Sequence, residues 1–508
     1  VTAAGLPATV HPEPVAAARR RAGGWLLAAG VAAFACAIGL YTWYALSHPT
    51  NRWMEPVDLR VYTDGGLIAR HVAPLYRAHL AAPLYDRAVV GHLKFTYPPF
   101  AAMVFTVLSV PSFSVLMKIS VGVNIAALLG TIWMTLGGLG YHRGQARLGA
   151  TLLAAAALLW MEPVQRTLFL GQVELVLMAL IIWDQCQPDR RWWKGAGIGI
   201  AAGIKLVPLI FIPYLLLTRR FRQAAVACGV FAATVLLGFA VLPGDSAAWW
   251  IGGLFDRGSR TGFVGWEGNQ SLQGFITRLA GSVAGAKPWW LAAAVLTGAL
   301  GLACAAILDR AGHRMAGLLS CALTGLLISP ISWDHHWVWI VPAVPVAAHY
   351  AIRARRAAAG QAIAGPLHDM TRSRHRPAGW AAAALAAGIL LVFGAWPGSL
   401  WGQPADLGAF SEGLIWAPPN TNPGVYYRYG DRPWYAEYHW HGLYLIAGNL
   451  YILAGMALLV MLLVISARAL PGRLQSRLLS RLSRKQPDRA AAARRPPGRP
   501  SREVPSAQ

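Results

Sequence analysis

The sequence predicts an all-α, polytopic integral membrane protein, with about 11–13 transmembrane helices and an active-site loop on the outer side. Three observations carry this expectation. Of the 508 residues, 56% are hydrophobic and only 13% are charged, whereas soluble domains carry roughly 25% charged residues. Apolar runs recur along the chain at lengths near the ~20 residues that a spanning helix needs. Basic residues fall in short clusters between those runs, as the positive-inside rule requires. The net charge of +24 is thereby explained without nucleic acid, since no aromatic-interleaved basic block forms a binding groove.

Taken in order, residues 1–24 read as a cytoplasmic N-terminal segment with a basic patch at Arg19–Arg21, and 25–46 as a retained first helix. That run is too long for a signal-peptide core and has no small-residue cleavage site. Further candidate spans are 98–110, 113–138, 148–161, 173–186, 195–217, 223–242, 289–308, 315–330, 337–352, 379–396 and 443–467. The Lys/Arg count places the N-terminus, Arg190–Lys194, Arg219–Arg222, Asp309–Arg314, the cluster Arg353–Arg376 and the tail after Arg468 inside. The loops at about 47–97, 243–288 and 397–442 then face outward, within a membrane domain over 25–467.

Two stretches strain this scheme. The run 195–217 has basic clusters at both ends but only one apolar length between them, so a hairpin of half-helices turning near Lys205 and Pro208 is expected. Broken helices at membrane depth survive only where they line a polar cavity. Between 98 and 170, Arg143 and Arg147 favour the inside while simple alternation of helices puts them outside. The tail 468–508 is rich in Arg, Pro, Ser and Ala, cannot bury a core, and reads as disordered. The aromatic segment 397–442 suits a compact interfacial loop or a wall of the site. Apart from APLY at 73–76 and 82–85 there is no internal repeat, which weakens a transporter built of repeated halves.

Few residues in such a chain can do ionic chemistry. VDLRVYTDGG, residues 57–66, places Asp58 and Asp64 in a polar loop after the first helix, with Arg60 and Tyr62 between them. A carboxylate that takes a proton from a hydroxyl must lie within hydrogen-bond reach of it, and a loop held at the membrane surface meets that need. Otherwise the two are solvated loop acids. Lys205, in GIKLVP, is a lysine within an apolar run; such residues are costly and mark function, with an anionic phosphate or a headgroup as partner. SPISWDHHWVW, residues 329–339, offers His335 and His336 beside Asp334. Adjacent side chains point different ways and no further ligand cluster is evident, so phosphate or sugar contact is expected rather than metal. KFTYPPF, LGQVEL and GNQSLQG put Tyr97, Gln172, Glu174, Asn269 and Gln270 at the ends of apolar runs, able to line one cavity. The five cysteines form no CxxC pair and four lie in apolar runs, against disulfides or a zinc site. No Walker, GxSxG or HExxH motif is present.

Together these pieces resemble the actinobacterial GT-C glycosyltransferases of family 87. The matching motifs, in order, are DLRVY, TYPP, LGQ before an apolar run, IKLVP before LLLTRRFR, NQSL and SPISWDHHW, between about residues 25 and 467. That family includes polyprenol-phosphate-mannose-dependent α-(1,2)-mannosyltransferases and an arabinofuranosyltransferase, and the paired histidines resemble the mannosyltransferase branch. The resemblance implies a GT-C fold in the plasma membrane with an extracytoplasmic site. It implies transfer with inversion, Asp58 being the position that matches the family's base. A polyprenyl-phosphate-mannose donor and a phosphatidylinositol mannoside or lipomannan-type acceptor follow from the same resemblance. A sugar on a lipid phosphate already carries its leaving group, so neither a nucleotide-binding domain nor a cofactor is expected. Metal is unnecessary if Lys205 and a histidine stabilise the phosphate. A lipid or sugar transporter would share the helices and the broken segment but leaves the acid-bearing outer loop unexplained. A membrane scaffold explains neither Lys205 nor the histidines.

Overall fold

The computed structural model describes residues 12–47, 54–72, 83–86, 88–90, 93–254, 262–358, 378–396, 413–419 and 435–468. Most of the aromatic segment 397–442, most of the basic run 353–376, the first APLY copy and nearly all of the tail lie outside the described residues. Apolar runs without alternation fold as helices, and the one sheet among the described residues is a small antiparallel hairpin, β1 (Ala88–Val90) with β2 (Leu93–Lys94).

The helices that matter here are α1 (Pro12–Ser47), α2 (Val57–Val72), α3 (Pro99–Phe105), α4 (Phe113–Gly138), α5 (Gln145–Leu158), α6 (Glu162–Leu170), α7 (Glu174–Cys186), α8 (Ala196–Ile204) and α9 (Phe211–Leu217). They continue with α10 (Phe221–Val241), α11 (Leu272–Ala280), α12 (Val283–Arg310), α13 (Arg314–Ile328), α14 (Ile340–Ala358), α15 (Ala378–Val392) and α16 (Leu450–Arg468). Five of them, α1, α4, α10, α12 and α16, are long and apolar enough to cross a membrane. The pair α6 and α7, bent by 117°, makes a sixth if counted as one span. Several of the remaining expected spans are shorter apolar helices, and others are interrupted.

The strained stretches resolve in two ways. Residues 98–110 do not cross the bundle. Tyr97, before α3, hydrogen-bonds Tyr62 of α2, and Phe113, at the start of α4, lies under Arg60 of the same helix, 4.3 Å from its ring centre. Both ends of the run therefore meet one short helix, and Gly66 of α2 packs against the backbone of Phe105 and Thr106 between them. Eleven residues of helix reach only about 16 Å, half of the ~30 Å hydrocarbon core. With that crossing removed, the connector after α4 falls at the basic end of the bundle, where Gly138 meets Met315 and Cys186. Arg147 is held there by the carbonyl of Trp133 at 3.1 Å and by its ring, 4.0 Å away.

The second resolution concerns 195–217, whose two ends lie together. Gly195 is packed against the carbonyl of Gln223, and Gly203 against Thr234, so α8 runs up alongside α10 from its first turn. The chain breaks at Lys205, which is extended (φ −146°, ψ 131°). It continues through a 3-10 turn with Pro208 and returns as α9 to Arg220, beside the start of α10. Proline cannot donate the helical hydrogen bond and crowds the preceding turn, which helps to place the break. The basic connectors meet at this end. Asp189 accepts from Lys194 and from Arg314, each at 2.9 Å, and Asp309 accepts from Arg220 at 2.6 Å. Arg222 donates to the carbonyl of Arg191 at 2.7 Å.

At the edge of the bundle α1 crosses α5 where two glycines meet. A β-carbon on Gly149 would stand 2.5 Å from the backbone of Leu26, and one on Gly30 would stand 2.4 Å from the carbonyl of Gly149. Small residues allow this backbone approach, the usual basis of helix association in lipid. Gly149→Val should therefore pry α1 from α5 and lower the thermal unfolding midpoint in detergent, by an overpacking cost of about 1–3 kcal/mol. Gly24→Val, at a helical glycine with open space around it, should leave the midpoint nearly unchanged. Equal effects from the two substitutions would show that the crossing contributes nothing.

Candidate active site

The first site residue sits on a helix, not in the loop expected from sequence. Asp58 lies in the first turn of α2. An α-helix advances about 100° per residue, so Tyr62 projects about 40° from Asp58, Arg60 about 160° and Asp64 about 120°. Only one of the three neighbours therefore shares its face. Tyr62 is fully buried, stacks on Phe105 at 4.6 Å, and hydrogen-bonds the Tyr97 hydroxyl at 3.0 Å and the Gln172 side-chain oxygen. Gln172 also hydrogen-bonds the Asp58 carboxyl, while its own carbonyl accepts from Asn124 at 3.1 Å. Arg60 instead points to Phe113, and Asp64 is half-buried near Arg60. Both expected substrate contacts, Arg60 and Asp64, thus lie on faces of α2 turned away from Asp58.

Opposite Asp58 stands a second cluster, built where two helices are interrupted. Gly171, left-handed at φ 69°, ends α6, and the chain restarts as α7 with Glu174 in its first turn. The free N–H groups of that turn favour an acid there. Glu174 is bonded to Lys205 Nζ at the tip of the α8–α9 hairpin. Lys205 is 2.9 Å from His336 Nε2, and its ammonium lies 5.8 Å from the centre of the Tyr97 ring. The cation expected to be solitary is therefore paired, because the fold brings Glu174 to it across 31 positions of sequence.

His335 and His336 belong to a 3-10 turn, Asp334–Trp339, in which neighbours diverge by about 120°. His336 faces Lys205; His335 Nδ1 meets Asp334 Oδ1 at 3.2 Å. The histidines do acquire a third potential metal ligand that the sequence conceals. Atoms of Glu174, His335 and His336 all come within 4.8 Å of one another. Lys205, however, is hydrogen-bonded to two of the three, so an ammonium already supplies positive charge to this cluster.

Asn269 and Gln270 differ from expectation. They are fully buried and tie the loop before α11 to the turn that carries the histidines. Asn269 Nδ2 donates to the carbonyl of Val264 at 2.9 Å, and its Oδ1 accepts from Ser332 N–H at 3.0 Å. Gln270 donates to the carbonyls of Glu267 and Gly448, at 2.6 and 2.8 Å. These amides brace the site and do not line it. Two ionisable residues not singled out in the sequence join them: Arg166 donates to Asp334 Oδ2 at 2.9 Å, and Glu162 accepts from Trp416 and Tyr451 at 3.0 and 2.8 Å. Both fall in the short connector between the spans expected at 148–161 and 173–186, and a charged pair at that place was the one signal available.

The environment tunes the acid. Desolvation pushes the Asp58 carboxyl above its ordinary value, opposed by the field of His335, the Gln172 hydrogen bond and Lys205, and aided by the charge of Glu174. A carboxylate with a raised pKa is a stronger base. A cavity opens from Glu174, Lys205 and His336 into apolar walls that include Leu177, Met178, Ile181, Val207, Ile210 and Leu326. The arrangement presents a base on one side, a cation with imidazoles on the other, and an apolar recess leading away from the cation.

Comparison with known proteins gives this geometry a setting. A family model described as glycosyltransferase family 87 matches residues 95–330. The chain is 32% identical over 403 residues to the polyprenol-phosphate-mannose-dependent alpha-(1-2)-phosphatidylinositol pentamannoside mannosyltransferase of Mycolicibacterium smegmatis, covering 79% of this chain and 85% of that protein. It is 39% identical over 289 residues to the protein of the same description from Mycobacterium tuberculosis, covering 56% of this chain and 64% of that relative, a little under two thirds. A polyprenol-phosphate-mannose-dependent alpha-(1-2)-phosphatidylinositol mannoside mannosyltransferase of Mycobacterium tuberculosis is 33% identical over 333 residues, covering 63% of this chain and 74% of the relative. No solved structure matches the chain. With this extent of likeness, the chain is a multi-pass membrane enzyme that belongs to glycosyltransferase family 87.

Proposed function

We propose that the enzyme transfers mannose from a polyprenyl-phosphate-mannose donor to a mannosylated inositol lipid, forming an α-(1,2) linkage with inversion on the extracytoplasmic side of the plasma membrane. The descriptions of the relatives support the donor and the acceptor class. The observation that carries the reading is the placement of Asp58 across from the Lys205–His336 pair, which stands at the mouth of the apolar recess.

Each group then has a distinct task. The donor phosphate binds at Lys205, His336 and His335, and its prenyl chain enters the recess. The acceptor hydroxyl approaches from the Asp58 side, which Tyr62, Tyr97 and Gln172 hold in place from behind. As the hydroxyl oxygen bonds to the anomeric carbon, its proton passes to Asp58 and the bond from that carbon to the phosphate oxygen breaks. Negative charge grows on the departing phosphate, so a fixed cation there stabilises the transition state more than the ground state. Attack from the side opposite the phosphate turns a β-linked donor into an α-linked product. Glu174 keeps Lys205 at the hairpin tip without meeting the sugar.

Asp58→Asn keeps the shape and removes the base, so purified enzyme should lose about 10²–10⁴-fold in turnover while folding normally. Asp64→Asn should stay near wild type. The reverse order of activity would identify Asp64 as the base. Asp58 acts deprotonated and its pKa is raised. The acid limb of kcat/KM should therefore lie above the ordinary aspartate value of about 3.9, activity falling as pH drops through it; a limb at the ordinary value or below would contradict the raised pKa.

Lys205→Met should lower turnover and weaken donor binding with little change for the acceptor. It also takes the ammonium from the largely buried Glu174 and leaves it only His336, at 3.6 Å, a loss of the kind that typically costs about 3–5 kcal/mol. Adding Glu174→Gln should restore thermal stability but not turnover. Recovery of both would make Lys205 a structural ion-pair partner only.

The sidedness has its own check. In a cysteine-free background, cysteine at Ser282 should react with an impermeant thiol reagent on wall-stripped cells, and cysteine at Arg191 only after lysis. The opposite pattern would invert the orientation.

A further inference from the structure

The two nitrogens of the His335 imidazole have unlike surroundings. Its Nδ1 meets Asp334 Oδ1 at 3.2 Å. Its Nε2 is buried and has no hydrogen-bond partner among the described residues, although a buried polar nitrogen without a partner is costly. The ring is 5% exposed and stands nearly perpendicular to His336, with ring centres 4.8 Å apart.

The carboxylate behind it is itself held. Asp334 Oδ2 accepts from Arg166 Nε at 2.9 Å, and the Asp334 N–H donates to the carbonyl of Gly268 at 2.9 Å. The Arg166 guanidinium lies 4.8 Å from the Trp416 ring centre, and Trp416 in turn donates to Glu162 at 3.0 Å. The members of this chain are drawn from four stretches of sequence: α6, the 3-10 turn, the segment 413–419 and the loop before α11. An ionised carboxylate accepts only, so Nδ1 carries the hydrogen and Nε2 is the nitrogen left without a partner. The same division of labour operates where a buried aspartate fixes the tautomer of a catalytic histidine.

We propose that Arg166 and Asp334 are positioning residues that fix the His335 ring, so that Nε2 bonds the phosphate oxygen to which the sugar is attached. In the transfer, the bond from the anomeric carbon to that oxygen breaks with its electron pair passing to oxygen. When Nε2 carries a proton, it donates a hydrogen bond to the developing oxyanion, and Asp334 offsets the charge of the imidazolium. The acceptor proton still goes to Asp58, so the balance of the reaction is unchanged. His335 thus serves the leaving side, and the carboxylate of Asp334 acts only through it. This inference rests on the functional reading above.

The test is a double-mutant cycle with Asp334→Asn and His335→Gln, read in single-turnover mannose transfer from polyprenyl-phosphate-mannose by detergent-purified protein. His335→Gln should lower the rate about 10²-fold or more, within the range seen when one donor to an oxyanion is removed. Asp334→Asn should lower it comparably, and the two together should be little worse than either, because residues that act as a unit are not additive. Independent, multiplying losses would overturn the proposal and leave Asp334 a structural residue. An unchanged rate in His335→Gln would overturn it as well. If Asp334→Asn does not fold, the cycle is run with Arg166→Gln in its place, and the same non-additivity is required. In either case Arg166→Lys should recover part of what Arg166→Gln loses, since it keeps the charge beside Asp334. A wild-type enzyme inactive with this donor would sink the functional reading itself. An active wild type with an additive cycle would sink only the positioning role.

Discussion

The contact on which the rest of the site depends is the meeting of Lys205 with Glu174 and His336. An ammonium in an apolar bundle is tolerable only with an opposite charge and hydrogen bonds around it. Here three separate interruptions supply them: the extended break between α8 and α9 carries Lys205, the left-handed Gly171 frees the first turn of α7 for Glu174, and a 3-10 turn carries His336. Each break exposes backbone groups that lipid could not satisfy. Gathering them in one place lets the polar groups serve one another and leaves a cavity lined by charge at one end and hydrocarbon at the other.

Around that centre, rigid parts do the positioning. α2 is a short amphipathic helix, anchored by Tyr62 to Tyr97 and Gln172 and by Gly66 to the α3 backbone. It holds the base, Asp58, at one fixed azimuth. Behind the histidines, Asn269 and the backbone of Gln270 join the loop before α11 to Ser332, just ahead of the 3-10 turn, and the Gln270 side chain joins it to Gly448. Such placement of charged groups on locked elements is what enzyme electrostatics requires, since the dipoles and charges need not reorganise as the reaction proceeds. The basic end of the bundle, with Asp189 and Asp309 each shared between connectors, closes the hairpins from below and keeps the Lys205 tip at its depth.

The sequence by itself determined the class of the protein and most of the ingredients of its site. Composition and apolar run length made it a helical membrane protein, because lipid leaves a backbone no other partner than itself. A single apolar length between two basic clusters required the hairpin at 195–217, since both ends had to stay on one side. Asp58 was visible as an acid after the first apolar run, Lys205 as a cation within one, and Gln172, Glu174 and the histidines as polar residues at or beside the ends of others. Tertiary structure alone decided which of them meet. Helical phase turned Arg60 and Asp64 away from Asp58, and a loop reading of that stretch contains no phase. The run 98–110 lays one face on α2 and leaves Val104, Val107 and Val110 exposed, and hydropathy does not separate an apolar helix that crosses the bundle from one that lies against a neighbour. Glu174 pairs with Lys205, and Arg166 with Asp334, across 31 and 168 positions. A charged side chain states in the sequence only that it needs a partner; which one it finds is a property of the fold.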